Sequence, residues 1–498
     1  MASRATVASA LATPLYDASD VHAFVPFATA VDVRRAALET PARTEMASLS
    51  IRALLSVFDA DVKGAIALLR RALRRGARHG EERAYVKDIL LHLLASAGDF
   101  DAMQRLFDEP GNVPRELVPL FQSTEALLAA VRGDARRSRA LERRALTAAR
   151  RLDTPLSLCR VLSRCANAAY HREDYDEARE LALESAHVFE SHEAYSGAVW
   201  GYSVAGTVAQ DWNGDGALAA FYFQRMSDMA GRARSGAFLR SALAARLNVA
   251  AERFEPAACA SLRTALLSQP VPPQLQENHI MVIADVLVHG WNAEFSAAQA
   301  ALESHARDPR LPQQQLALAE ALLSLVDVAR WDVDAARRRS RSALERTARG
   351  PASEPLHARR SRELARVLAA ATCLLIGDRV RGERALSARF DPDHRYRELL
   401  AARPIATDRF PDLLRGYAEF VRVAAEHAER SRPRHGLTAA ETQVLRLLRS
   451  GSTLAQIALE LRKSKSTVAR QVESIYEKLE VRNRAHAIER GRELGLFA

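Results

Sequence analysis

Apolar residues along most of this chain fall at helical spacing, and the breaks between the apolar stretches recur at a nearly fixed distance. The breaks are small turn-forming or acidic pairs: Ala60-Asp61, Gly98-Asp99, Gly133-Asp134, Glu173-Asp174, Gly214-Asp215, Phe254-Glu255, Ala293-Glu294, Trp331-Asp332 and Gly377-Asp378. The intervals between their acids are 38, 35, 40, 41, 40, 39, 38 and 46 residues. Four residues after each acid stands a mostly small side chain, at Ala65, Met103, Ser138, Ala178, Ala219, Cys259, Ala298, Ala336 and Gly382. Several units add a second small residue seven positions further on, as Ala65 with Ala72, Ala178 with Ser185 and Ala336 with Ala343. Helices approach closely where the side chains at the crossing are small. The pattern predicts an all-α protein in which a hairpin of two helices is repeated about nine times. One such hairpin cannot bury its apolar face alone, whereas stacked neighbours share a continuous core and offer a concave binding surface. An apolar fraction of 48% supplies ample material for that core.

The period, together with stretches such as Arg172-Glu173-Asp174-Tyr175-Asp176-Glu177-Ala178, resembles tetratricopeptide repeats in a long form of about 40 residues. The standard period is ~34, and most units here lack the aromatic positions of that family. The resemblance implies a superhelix of hairpins over residues 46–430. Residues 1–45, with Pro14, Pro26 and Pro41, are either a capping helix pair or partly disordered. Ser431-Arg432-Pro433-Arg434-His435-Gly436 has the composition of a hinge.

The pattern changes from Leu437 onward. Thr438 is placed to cap a helix beginning near Ala439, and Glu441, three residues on, can reach back to close a capping box. Val444, Leu445 and Leu448 give this helix an apolar face, and Ser450-Gly451 ends it. Ser452 or Thr453 caps a second helix with Ile457, Ala458 and Leu461 inward, and a polar turn leads to a third over residues 465–479. Two short helices joined by a tight turn are the signature of a helix-turn-helix.

In the third helix Val468, Val472, Ile475 and Leu479 form one narrow apolar stripe. Opposite it fall Ser466, Arg470, Glu473 and Glu477, with Thr467, Ala469 and Ser474 on the flanks. The first turns of that outer face would enter the major groove, while residues around the turn and helix ends hold phosphates. Arg470 is the best base reader, because arginine matches guanine O6 and N7 bidentately for ~1–3 kcal/mol of discrimination. Glu473 could accept from cytosine N4 or aim Arg470, and the sequence leaves both open.

This tail resembles the LuxR/GerE-type DNA-binding domain. Its pattern is matched by Leu437, Thr438, Glu441, Val444, Leu445, Gly451, Ile457, Ala458, Leu461, Ser464, Thr467, Val468, Lys478, Leu479, Val481, Asn483 and Arg484. The resemblance implies a four-helix module that binds DNA as a homodimer through its last helix, here about Arg484 to Leu494, and regulates transcription. Four positions depart from the pattern: Gln456 for a glutamate, Gln471 for a histidine, Ala469 for a DNA-contacting lysine, and Lys463 for an aliphatic residue. The family's base preference therefore does not carry over. The expected DNA-contacting set is Lys463, Lys465, Ser466, Thr467, Ala469, Arg470, Gln471, Glu473, Ser474, Lys478, Arg482 and Arg484.

Charge agrees with a polyanionic partner. From Arg434 onward 12 Lys and Arg face 7 Asp and Glu, a net +5 of the whole chain's +10. Three of the chain's five lysines, Lys463, Lys465 and Lys478, lie in this tail.

Other chemistries lack a signal. Cys159, Cys165, Cys259 and Cys373 form no C-x-x-C pair and read as buried small residues. Gly201-Tyr202-Ser203-Val204-Ala205 misses the nucleophile elbow and its strand context. Gly214-Asp215-Gly216 mimics a dinucleotide fingerprint but falls on a repeat turn without a preceding strand. No phosphate-binding loop or metal-ligand spacing occurs, so neither cofactor nor metal is expected. With no secretory signal and no apolar run near the ~18 residues of a membrane span, a cytoplasmic protein is expected, and not an enzyme. The reading is a sequence-specific transcriptional regulator that binds double-stranded DNA as a homodimer, with the hairpins receiving an unidentified protein, peptide or small-molecule effector. The alternative is an interaction scaffold with nonspecific DNA attachment.

Overall fold

The computed structural model describes residues 21–22, 42, 44–59, 61–75, 80–152, 155–269, 278–309, 311–348, 356–387, 412–431, 436–494 and 496. Most of the 1–45 segment, Ala60 of the first turn pair and most of the expected hinge lie outside the described residues. The chain divides into two compact units, Met1–Met281 and Val282–Ala498.

The first unit holds six hairpins among its described residues: α1 (Glu45–Phe58) with α2 (Val62–Arg75), α3 (Gly80–Ser96) with α4 (Phe100–Asp108), α5 (Val118–Val131) with α6 (Ala135–Arg151), α7 (Pro155–His171) with α8 (Tyr175–Ser191), α9 (Tyr195–Val208) with α10 (Gly216–Arg232), and α11 (Gly236–Glu252) with α12 (Pro256–Leu267). Neighbouring helices pack on one another throughout, and α5 also packs on α3 and α7, so the first helices of successive hairpins lie side by side. Helix α13 (Asn278–Trp291) spans the boundary between the units. The second unit continues with α14 (Phe295–Ala306), α15 (Gln313–Ala329), α16 (Val333–Thr347), α17 (Leu356–Leu375) and α18 (Arg379–Ser387).

The eight turn pairs described in full each fall between two consecutive helices, and one local geometry explains their composition. At the eight described pairs the first residue is left-handed, with φ from +57° at Trp331 to +84° at Gly377. At seven of them its successor donates its N–H five residues back, as Asp134 to Ala129 O at 2.9 Å and Asp174 to Ala169 O at 3.0 Å, while Asp215 reaches six back to Ala209 O after a π-helical turn. The bond to the fifth residue back closes the first helix in a Schellman motif. The acid then starts the next helix: the Asp134 carboxylate accepts from the Arg137 N–H at 3.0 Å, and Asp215 from Leu218 N–H at 2.8 Å. Gly133 meets the left-handed requirement without strain, whereas Glu173 and Phe254 adopt it at a cost of ~1–2 kcal/mol each.

The residue four positions on is buried in every unit, from Ala65 and Ala178 at 0% exposure to Gly382 in the last. Two further turns of the same shape, at Glu193-Ala194 and Arg234-Ser235, join one hairpin to the next. Neither has an acid at its second position, so the sequence pattern did not reveal them.

The Gly201 to Ala205 stretch lies inside α9, with no strand or elbow. Its glycine serves close packing, because a Cβ there would stand 2.5 Å from the Ala182 carbonyl and 2.8 Å from Ala186 Cβ on α8. Gly201→Ala is expected to lower stability by about 1–3 kcal/mol, read as an earlier urea midpoint with an unchanged slope.

A single helix outside the repeat pattern, α19 (Arg415–Ser431), packs on α15 and α17 in the second unit. Phe420 is fully buried and meets Phe295 edge-on at 6.2 Å, and the Trp291 indole donates to Gly416 O at 2.8 Å. All four cysteines are free and buried, and burial pushes the Cys159 thiol up to about 12. Among the described residues no helix is long and apolar enough to cross a membrane, and no group of three His, Cys, Asp or Glu could hold a metal ion.

Candidate nucleic-acid interface

Four helices follow: α20 (Ala439–Arg449), α21 (Leu454–Glu460), α22 (Lys465–Lys478) and α23 (Arg484–Glu493). They enclose a core of their own, built from Leu437, Val444, Leu445, Leu448, Ile457, Ala458, Val468, Val472, Ile475, Leu479 and Ala487. The apolar stripe of the third helix thus points inward.

Each helix start has a side-chain cap. Thr438 accepts from the Glu441 N–H at 3.1 Å while the Glu441 carboxylate accepts from the Thr438 N–H at 2.7 Å. The same reciprocal pair forms at α21, where Thr453 N–H donates to Gln456 Oε1 at 2.8 Å. Gln456 therefore does the capping work of the glutamate it replaces and removes one negative charge. Ser464 caps α22 through the Thr467 N–H at 3.1 Å, and Asn483 caps α23 through the His486 N–H at 2.9 Å. The turn between α21 and α22 is left-handed at Arg462, φ +51°, with Lys463 N–H donating to Ala458 O at 2.9 Å. These caps fix where α22 begins and so which side chains lead it.

On α22 Lys465, Ser466, Thr467, Arg470 and Glu473 are exposed, while Ala469, Gln471 and Ser474 are half-buried on its flanks. The Lys463 ammonium donates to Gln471 Oε1 at 3.2 Å, so two of the departures from the family pattern bond each other. Ser466 and Thr467 hydroxyls cluster on Ser464 at 2.9 and 2.7 Å. Arg482 is exposed beyond the C-terminal end of α22. Arg462, exposed at the left-handed turn, was not in the expected set and sits in sequence between Leu461 and Lys463 at the mouth of the recognition helix.

Three further residues of the expected set also bond within the domain. Lys478 donates to both Glu441 oxygens at 2.7 and 2.8 Å, and the Ser474 hydroxyl donates to Glu441 Oε1 at 2.7 Å. Arg484 donates through Nε to Leu448 O at 3.2 Å and through Nη2 to the same carbonyl, placing a cation at the C-terminal end of α20. Glu441 is 5% exposed. Burial opposes its ionisation, yet the hydrogen bonds from Lys478, the Thr438 N–H and Ser474 outweigh that and hold its carboxyl below the usual range. One carboxylate thereby joins the start of α20 to the C-terminal half of α22.

Residues 435–490 match the family model described as GerE, bacterial regulatory proteins, luxR family. Among curated proteins no match is found. The matched segment is a regulatory DNA-binding module. Residues 435–490 are therefore a GerE domain of the luxR family, which makes this chain a DNA-binding transcription regulator whose preceding region is built of helical hairpins.

Proposed function

We propose that the chain is a sequence-specific regulator in which the hairpin region, residues 46–430, receives a signal or partner and the domain at 437–498 reads promoter DNA as a homodimer. The observation that carries this reading is the solvent face of α22, where Ser466, Thr467 and Arg470 project from the N-terminal half, and Glu473 just beyond it, of a helix whose other face is locked into a core. Arg470 reads a guanine; Lys465, Arg462 and Arg482, exposed at the ends of α22, hold phosphates. Ser474, Lys478 and Arg484 act by positioning the helix. Dimerisation uses the outer face of α23, where Ala485, His486 and Glu489 are exposed while Ala487 and Gly491 are buried. Residues 431–436 serve as the linker, so that an effector on the hairpins changes how two DNA-binding domains pair on their half-sites.

The test is to incubate the full-length protein with fragmented genomic DNA and sequence what it retains. Enrichment of a two-fold symmetric motif supports the regulator. Retention without a motif favours the scaffold reading, which the alanine at position 469 keeps in view. Arg470→Ala is expected to cost about 1–3 kcal/mol at one base position while leaving the salt slope nearly unchanged. Binding to a panel of single-base operator variants checks it; uniform weakening at every position would remove Arg470 from base reading.

A further inference from the structure

The first helices of three successive hairpins bring a charged cluster together on one face of the Met1–Met281 unit. Tyr85, Asp88 and His92 lie along α3, Thr124 on α5, and Arg160 and Arg164 one turn apart on α7. Part of the cluster is complete in itself. Arg164, 6% exposed, donates to Asp88 at 2.6 Å and to Leu120 O and Thr124 Oγ1 at 3.0 Å each.

The remaining partner comes from far away in sequence. His22, 6% exposed, sits between Asp88 and Arg160, with its Nε2 2.9 Å from Asp88 Oδ2, and Arg160 Nη1 lies 2.9 Å from its Nδ1 and 2.8 Å from its Nε2. Arg160 also donates through Nη2 to the main-chain carbonyl of His22. The ring of Tyr85 closes over the imidazole edge-on at 5.2 Å. Only a neutral imidazole can donate to the carboxylate through one ring nitrogen and accept from the guanidinium through the other. Burial and the Arg160 cation hold His22 in that form, lowering it to about 4. Among the described residues, Arg160 bonds His22 alone, gripping one side-chain and one main-chain acceptor of the same residue. A side chain that clasps both is suited to hold a peptide, and Asp88, already paired with Arg164, does not depend on the histidine for its charge balance.

We propose that Asp88, Arg160 and Tyr85 form a peptide-binding subsite specific for a neutral histidine residue, occupied in cis by the chain's own His22 and open to a competing histidine-bearing peptide. The proposal rests on the receiving role assigned to the hairpins, and it is measured without DNA so that the two can fail separately. A tethered segment competes at an effective concentration of about millimolar, so the intact chain resists a free peptide.

The probe is a fluorescent synthetic peptide copying residues 14–30, PLYDASDVHAFVPFATA, titrated into full-length protein and followed by anisotropy. The His22→Ala protein is expected to bind it at least tenfold more tightly than the unsubstituted protein. Replacing the peptide's histidine by alanine, or adding Arg160→Ala to the His22→Ala protein, is expected to remove that gain. Binding should also weaken about tenfold between pH 7.5 and 5.5, as the free peptide's imidazole protonates near pH 6.5 while facing Arg160 and Arg164 on α7, Tyr85, Asp88 and His92 on α3, and Glu116 before α5. Should the melting temperature show that His22→Ala does not fold, His22→Asn takes its place. Equal binding by the emptied and unsubstituted proteins, or indifference to the peptide's histidine, overturns the proposal. Peptide binding that follows these expectations yet leaves DNA retention unchanged would keep the subsite and remove its link to regulation.

Discussion

Arg164→Ala is expected to destabilise the Met1–Met281 unit by about 3–5 kcal/mol. Asp88 is 2% exposed, and burial alone would raise its carboxyl; Arg164 and His22 instead hold it well below the usual carboxylate range. Removing the guanidinium leaves a buried carboxylate with His22 as its main partner, while the Leu120 carbonyl keeps the Ser123 and Thr124 hydroxyls as donors. The cost comes from the orphaned charge more than from the lost contact. Asp88→Leu combined with Arg164→Leu, which removes both ions and fills the space, should therefore recover much of the loss. Urea unfolding of the three variants decides the point: a double substitution as damaging as Arg164→Ala alone would mean that packing, and not uncompensated charge, sets the effect. The sign with pH follows from the depressed carboxyl. Its contribution is present above the unfolded-state value near 3.9 and fades as the pH falls below it.

Glu441→Ala is expected to cost the GerE domain about 2–4 kcal/mol, which approaches the whole stability of a domain with so small a core. The substitution removes the acceptor of the Thr438 N–H, of the Ser474 hydroxyl and of the Lys478 ammonium at once. Glu441→Gln keeps the capping geometry, as Gln456 does at α21, and should lose only the charge-assisted part, about 1–2 kcal/mol. Amide hydrogen exchange across α20 and α22 reads the effect locally, and operator affinity should fall in the same order. Equal exchange in the alanine variant and the unsubstituted protein would show that the core alone holds α22 in place. Because the folded carboxyl is held below its ordinary range, this stabilisation is present above the unfolded value near 4.3 and disappears as the pH falls through the folded value.

Much of this architecture is readable from short-range chemistry. A left-handed residue followed by an acid ends one helix and starts the next, so Gly98-Asp99, Glu173-Asp174 and Trp331-Asp332 mark hairpins although their surroundings differ. A small residue four positions into the second helix is read equally well, because helical geometry carries it to the crossing point. The Thr438 and Glu441 capping box and the stripe from Val468 to Leu479 are local in the same sense, and they place Arg470 outward before any tertiary contact is considered. Turns without these residues are silent. Glu193-Ala194 and Arg234-Ser235 take up the left-handed conformation under the pull of the helices they join, at a conformational cost that only packing can offset.

Only the tertiary structure decided which polar side chains are available. Lys478 and Arg484 carry the same charge as Arg470 and lie in the same basic tail, and nothing local in the sequence marks them as bound within the domain. Their carboxylate and carbonyl partners stand 37 and 36 positions away, brought near by the folding of α20 against α22 and α23. His22 likewise meets Arg160 across 138 positions. Helical period and capping are set within a few residues and survive in any context, whereas an ion pair or a bound segment exists only where separate elements have already packed.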